Sequence, residues 1–213
     1  YHCSAVHPGW GFLSENPTFA ARCEAARITF IGPRSATMRR MANKAAARST
    51  MMAHGLGPIP GSDGVVPDVA AASEAADNIG YPVLIKAVSG GGGRGMRAVF
   101  TPDQIREAFD SAGAEAAGAF ADARLYMERL IRDAHHIEFQ VIADGSKALV
   151  VGERECSIQR RHQKLLEETP SPALATAEGG ALRAAVSSQV EAAVTALGYR
   201  GAGTIEMLLT DRH

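Results

Sequence analysis

The feature that most limits how this chain can fold is a glycine run set between two apolar stretches, PVLIKAV and MRAVF, within residues 82–100. Five of the six positions from Gly90 to Gly95 are glycine. Each glycine in an ordered element costs about 0.5–1 kcal/mol relative to alanine, so a plain connecting turn would not carry five. A dinucleotide-binding G-x-G-x-x-G fingerprint needs a helix to open at its last glycine, and a P-loop needs Lys-Ser/Thr there. Here the glycines lead into the strand-like MRAVF. A helix start comes only at Thr101, with Pro102 in the first position and Gln104 completing a capping box. The pattern predicts strand, glycine loop, strand: a hairpin whose tip is nearly all backbone. Such a tip offers N–H donors to a phosphate chain. Lys86 lies inside the apolar strand before it, where an unpaired ammonium is expensive to bury and an anionic ligand would resolve the cost. The alternative is a functionless loop beside an edge lysine. Local consistency favours phosphate.

The remaining segments place this hairpin in a mixed domain. ARITFIGP (26–33) reads as a short buried strand ended by Gly-Pro, and residues 35–55 as one helix capped by Ser35 and closed by Gly55. Met38, Met41, Ala45 and Met52 fall near one face of that helix, a core stripe, with Lys44 close to it. Residues 57–68 form a Gly/Pro-rich connection, followed by a helix closed at Gly80. The Ala/Gly-rich tract 111–123 fits either a helix or a loose loop. RLYMERLI (124–131) reads as a strand. HIEFQVIAD and ALVVGERE read as a hairpin turning at Asp144-Gly145, and residues 177–198 as a helix or a pair of helices. RGAGTIEMLLT reads as a last strand. Antiparallel hairpins mixed with helices predict an α+β fold.

Charge and cysteine usage exclude several classes. With 213 residues and a formal net charge of −1, the chain is no general nucleic-acid or anionic-membrane binder. No run approaches the roughly 18 apolar residues of a membrane span. Its three cysteines are scattered and odd in number, which fits reduced thiols in a cytoplasm-like compartment. Two further clusters carry chemistry. In GERECSIQRRHQK (152–164), Glu153, Arg154, Glu155, Arg160, Arg161, His162 and Lys164 form either a small-anion site or a solvated charged face, and spacing alone leaves the two level. Glu206 is a lone carboxylate in an apolar strand. It suits a hard cation bridging to phosphates, although alternation equally permits an outward-facing residue.

HPGWGFLSEN, FIGP, YPVLIKAVSGGGGRGM, ECSIQRRHQK and GYRGAGTIE occur in this order. On these strings the chain closely resembles the biotin carboxylase family, the ATP-grasp component of acetyl-CoA, propionyl and pyruvate-type carboxylases, over essentially its whole length. HPGWGFLSEN and QRRHQK separate that family from other ATP-grasp ligases. The resemblance implies a remnant of an N-terminal α/β domain at 1–35. It further implies an ATP-grasp domain over 36–213, cut at its C-terminal end, with a glycine-flap subdomain at about 58–131. It implies ATP- and bicarbonate-dependent carboxylation of carrier-bound biotin through carboxyphosphate. Carried across, Lys44 and Lys86 match the phosphate-binding lysines and Gly92 and Gly93 the flap. Glu128, Arg129, Leu130 and Ile131 match the hinge that binds adenine, and His136, Gln159, His162 and Leu208 further nucleotide contacts. Lys164 matches the catalytic lysine near bicarbonate, and Glu206 a metal carboxylate for Mg²⁺ or Mn²⁺. The implied partners are a biotin carboxyl carrier protein or domain, a carboxyltransferase component and a second copy in a homodimer, in a cytoplasmic or mitochondrial-matrix setting and a role in fatty-acid metabolism.

Departures from the family pattern are few within the matched strings. Val88-Ser89 stands where relatives have smaller residues or another glycine, which stiffens the flap, and Trp10 stands where tyrosine is common. The ends are expected to be those of a fragment, because the family's second metal carboxylate and its proposed general base belong to a following strand and a Val-Glu-His segment. A chain of this extent is expected to bind MgATP without carboxylating biotin. The rival readings are another ATP-grasp ligase and a non-catalytic nucleotide-binding or assembly module.

Overall fold

The computed structural model describes residues 2–42, 44–89, 94–160 and 163–210, the side chains of 44–46 excepted. The chain divides into two units, one of Tyr1–Pro58, His135–Ser157 and Leu166–His213, the other of Ile59–Ala134 and Ile158–Leu165.

In the first unit, β1 (Ala5–Val6) and β2 (Thr29–Phe30) pair in parallel around α1 (Pro17–Ala25). The side chain of Asn16 caps α1 by accepting from the amides of Thr18 and Phe19. Across the expected helix at 35–55, the described residues on either side of residue 43 are helical: α2 (Ser35–Ala42) and α3 (Lys44–Ala53). Ser35 does not cap: it sits within α2, and its N–H and hydroxyl both donate to the Glu24 carboxylate. The methionine stripe fails at its far end. Met38 is buried, but Met52 is exposed and Met51 packs into the core in its place.

The second unit begins with α4 (Val69–Ile79), capped by Asp68 and closed at Gly80 with φ +84°. Then come β3 (Val83–Ala87), β4 (Met96–Val99), a 3-10 turn (Pro102–Gln104), α5 (Ile105–Phe120) and β5 (Leu125–Arg129). The strands form an antiparallel sheet in the order β4-β3-β5. A strand and not a helix follows the glycines, which removes the dinucleotide fingerprint. The expected capping box at Thr101 and Gln104 is formed, and the Ala/Gly tract continues α5 as far as Phe120. Alternation decides the faces: Val83, Ile85 and Ala87 on β3 and Leu125 and Met127 on β5 are buried with Ala72, Ala76, Ala112 and Ala116 of the helices. Small alanines let both helices lie close on the sheet. Residues 61 and 66 bridge to Glu128 and Leu125, so the Gly/Pro-rich connection runs along the β5 edge.

Gly95 is required by backbone geometry. Its φ is +67°, and a Cβ there would come within 2.8 Å of the Ala87 Cβ. Gly95→Ala is expected to lower the unfolding free energy by about 1–3 kcal/mol, through the left-handed penalty plus overpacking. Urea unfolding with an unchanged midpoint would refute this.

The chain continues with β6 (His135–Asp144), β7 (Ala148–Arg160), β8 (Gln163–Glu168), a 3-10 turn (Pro172–Leu174), α6 (Ala177–Ala196) and β9 (Arg200–Leu209), all in the first unit except Ile158–Leu165. The sheet order is β8-β7-β6-β9. β8 was not anticipated, because its charged run carries no apolar alternation to announce a strand. A bulge between Gln140 and Val141 shifts the β6–β7 register. One face, with Ile137, Phe139, Val141, Ile205 and Met207, packs on the core side with Val190, Ala193 and Val194 of α6. Among the described residues no helix is long and apolar enough to cross a membrane.

Candidate functional site

The open face of the β4-β3-β5 sheet follows from the same alternation that builds its core. Lys86 sits opposite Tyr126 in register, with Leu84 opposite Glu128. Lys86 and Glu128 therefore project on the side away from the helices. The Lys86 Nζ lies 2.9 Å from Glu128 Oε2 and 5.4 Å from the centre of the Tyr126 ring. Burial alone would lower the Lys86 pKa, but the hydrogen bond and charge of Glu128 outweigh it and hold it above 10.5. The ammonium is thus charged, partly desolvated and held at the end of the strand that enters the glycine loop. That strand's exit is fixed as well: Ser89 Oγ donates to Asp122 at 2.6 Å, and Arg124 holds the same carboxylate.

Gly92, Gly93 and His162 lie outside the described residues, as does the Lys44 side chain; the Lys44 backbone opens α3. Of the segment 128–131, expected to bind adenine, Glu128 and Arg129 end β5, and the amides of Arg129 and Leu130 donate to the Pro60 and Pro82 carbonyls, with Ile131 next in sequence. Gln159 lies on β7 and Lys164 on β8.

In the first unit, β6 and β9 bring together other predicted residues. Glu138 lies opposite Glu206 and His136 opposite Leu208. His136 Nε2 is 3.8 Å from Glu206 Oε2. Both carboxylates and the imidazole occupy the sheet face away from α6. Glu206 is half-exposed, whereas Glu138 is 4% exposed.

Two networks centre on residues of the 152–164 cluster, with partners that the sequence reading did not supply. The first is the Arg154 network. Its guanidinium donates to Glu138 (2.7 Å from Nε) and Gln140 (3.0 Å), and reaches Glu167 at 3.4 Å. Glu138, Cys156 and Glu167 present potential metal-ligand atoms within 4.8 Å of one another. Arg154 donates to Glu138 and is ion-paired with Glu167, so the cluster is an ion-paired network. The second is on the opposite face, where Glu153 and Glu155 are buried. Glu153 accepts from Arg183 Nε at 2.8 Å and from the Ser171 amide, and Glu155 from Ser171 Oγ, Ser157 Oγ and His135 Nδ1. The x-Glu-Arg-Glu-x alternation was a usable signal: adjacent odd positions on one strand must share a face, and Arg154 between them must take the other.

Comparison with known proteins follows these features. The family described as "Carbamoyl-phosphate synthase L chain, ATP binding domain" matches residues 43–213, and the "Biotin carboxylase, N-terminal domain" family matches residues 1–38. The chloroplastic biotin carboxylase of Arabidopsis thaliana is 49% identical over 211 residues, 99% of this chain and 38% of that protein. The biotin carboxylase of Campylobacter jejuni, solved as a β,γ-ATP complex, superposes with a TM-score of 0.91 at 45% identity, covering 98% of this chain and 46% of that one. The biotin carboxylase domain of Hydrogenobacter thermophilus 2-oxoglutarate carboxylase, solved as a dimer with MgADP and bicarbonate, gives 0.91 at 43% identity, with the same coverages. The chain thus spans less than half the length of these relatives. The fold is an ATP-grasp fold of the α+β class. The chain belongs to the family of this ATP-binding domain, in its biotin carboxylase branch.

Proposed function

We propose that this chain binds MgATP and carries the phosphate- and bicarbonate-handling side chains for ATP-dependent carboxylation of carrier-bound biotin. The observation that carries this reading is the Lys86 ammonium, kept charged by Glu128 at the mouth of the glycine loop. Phosphoryl transfer asks a protein mainly to position phosphates and to offset the charge that spreads over them. Lys86, with Lys44, supplies that positive charge, and Gly92 and Gly93 supply backbone donors. The segment Glu128–Ile131 holds the base, joined by His136, Gln159, His162 and Leu208. Lys164 acts as the catalytic cation. It offsets repulsion between bicarbonate and the γ-phosphate as a bicarbonate oxygen attacks phosphorus and ADP leaves. The resulting carboxyphosphate gives its carboxyl group to a ureido nitrogen of biotin, releasing phosphate.

Glu206 suits a hard divalent cation: it is an oxygen donor, half-exposed on the open face of the sheet. Mg²⁺, or Mn²⁺, would neutralise phosphate charge there. The domain division, the 1–35 remnant and the 36–213 ATP-grasp region with its 58–131 flap, belongs to this proposal. So do a biotin carboxyl carrier domain, a carboxyltransferase component and a homodimer as partners. A thiol-reducing compartment such as cytoplasm fits Cys3, Cys23 and Cys156, all free thiols.

Calorimetric titration tests the reading directly. Saturable ATP binding that requires Mg²⁺, with no comparable binding of NAD, is the expected result. A chain that takes up neither ATP nor ADP in the presence of Mg²⁺ would overturn it.

A further inference from the structure

Resting on that reading, we propose that Arg154 is a positioning residue: it locks the β7–β8 hairpin in place and thereby sets Gln159 and Lys164 for their ligands. The guanidinium of Arg154, on β7, engages both neighbouring strands at once. It bonds Glu138 and Gln140 on β6 at 2.7 and 3.0 Å, and Glu167 on β8 at 3.4 Å. Gln140 extends the lacing, its Nε2 donating to the Gly203 carbonyl of β9 at 2.8 Å. Arg154 thus ties β7 to both β6 and β8, and Gln140 carries the connection on to the β9 backbone.

The need for such a tie follows from the composition of β8. Its residues, QKLLEE, are exposed apart from a half-buried Lys164, so little apolar burial holds this outer strand. Side-chain bonds at its root add to the backbone pairing with β7. Thr169 Oγ1 donates to the Glu153 carbonyl on β7 just past the strand, and the Arg154–Glu167 pair is the tie on the opposite face of the sheet. Glu138 makes the arrangement obligatory, because a carboxylate 4% exposed needs a cation beside it. Lys164 stands three residues before Glu167, and Gln159 five residues after Arg154. A shift of β8 about its root would displace Lys164, and a shift of β7 away from β6 would displace Gln159.

The test compares the wild-type chain with Arg154→Met, Arg154→Lys and a control, Val150→Ala, which lowers stability from the apolar core. Hydrogen exchange and MgATP titration are read on each. Arg154→Met should speed exchange in Gln163–Glu168 by about tenfold or more relative to β9 and weaken MgATP binding. Arg154→Lys, a cation without the planar fork, should fall between. Val150→Ala should speed exchange generally and leave the affinity unchanged. If Arg154→Met protects β8 as the wild type does, or binds MgATP equally well, the inference is wrong. Failure of the wild-type chain itself to bind MgATP would appear first, and would count against the functional reading instead.

Discussion

Replacing Lys86 by methionine is expected to weaken MgATP binding by about ten- to a hundredfold. A hydrogen bond to a charged group contributes about 1.5–3 kcal/mol, and each 1.4 kcal/mol is tenfold in affinity. Methionine keeps most of the aliphatic stem, so β3 should still pack through Val83, Ile85 and Ala87, which face the helices. The substitution has a second consequence. Glu128 has a side chain only 16% exposed and would lose the cation 2.9 Å away, which costs stability because a desolvated carboxylate is left without its partner. Lys86→Met/Glu128→Gln separates the two effects. The double variant should recover the stability lost by Lys86→Met while still failing to bind nucleotide. Affinity regained in the double variant would mean that Lys86 serves the fold and not the phosphate.

That pair also marks how far the sequence could be read. The strand–glycine–strand hairpin was legible because Val83, Ile85 and Ala87 alternate with Leu84 and Lys86, a period-2 signal carried by adjacent residues. The isolated position of Lys86 in that pattern identified it as chemically significant. Its protein partner was not legible, since Glu128 lies 42 positions away and meets it only through the β3–β5 register. The sequence reading therefore assigned the lysine an anion and overlooked the carboxylate. The same limit hid β8 and the Arg154 network: a charged run has no apolar period, and its partners Glu138 and Gln140 are set by strand pairing. Glu206 was read as either metal ligand or edge residue, and its exposed position on β9 fits both, because an open sheet face is where a ligand would meet it.

Acid should loosen the first unit at the junction of β6, β7 and the segment leading into α6, and Glu155 should account for much of the effect. Burial would raise its pKa, but hydrogen bonds from Ser171, His135, Ser157 and the Ala173 amide overcome that and lower it from 4.5 to about 2. Glu153 is also held low, against burial, by Arg183 and the Ser171 amide. A carboxylate whose folded pKa is depressed stabilises the fold above its unfolded pKa and loses that contribution as pH falls towards the folded value. The window therefore runs from about pH 5 down to about pH 2, and for Glu155 the loss is of order 3 kcal/mol. Both acids are on β7, and both bind Ser171, which is completely buried, so their protonation releases the same loop. Glu155→Gln should be less stable than wild type at pH 7 by about 2 kcal/mol, because an amide cannot accept from the full set of donors. The gap should shrink as pH falls, since wild type then loses what the variant never had. Urea midpoints measured from pH 3 to pH 7 decide the matter: converging curves support the assignment, and parallel ones place the acid sensitivity elsewhere.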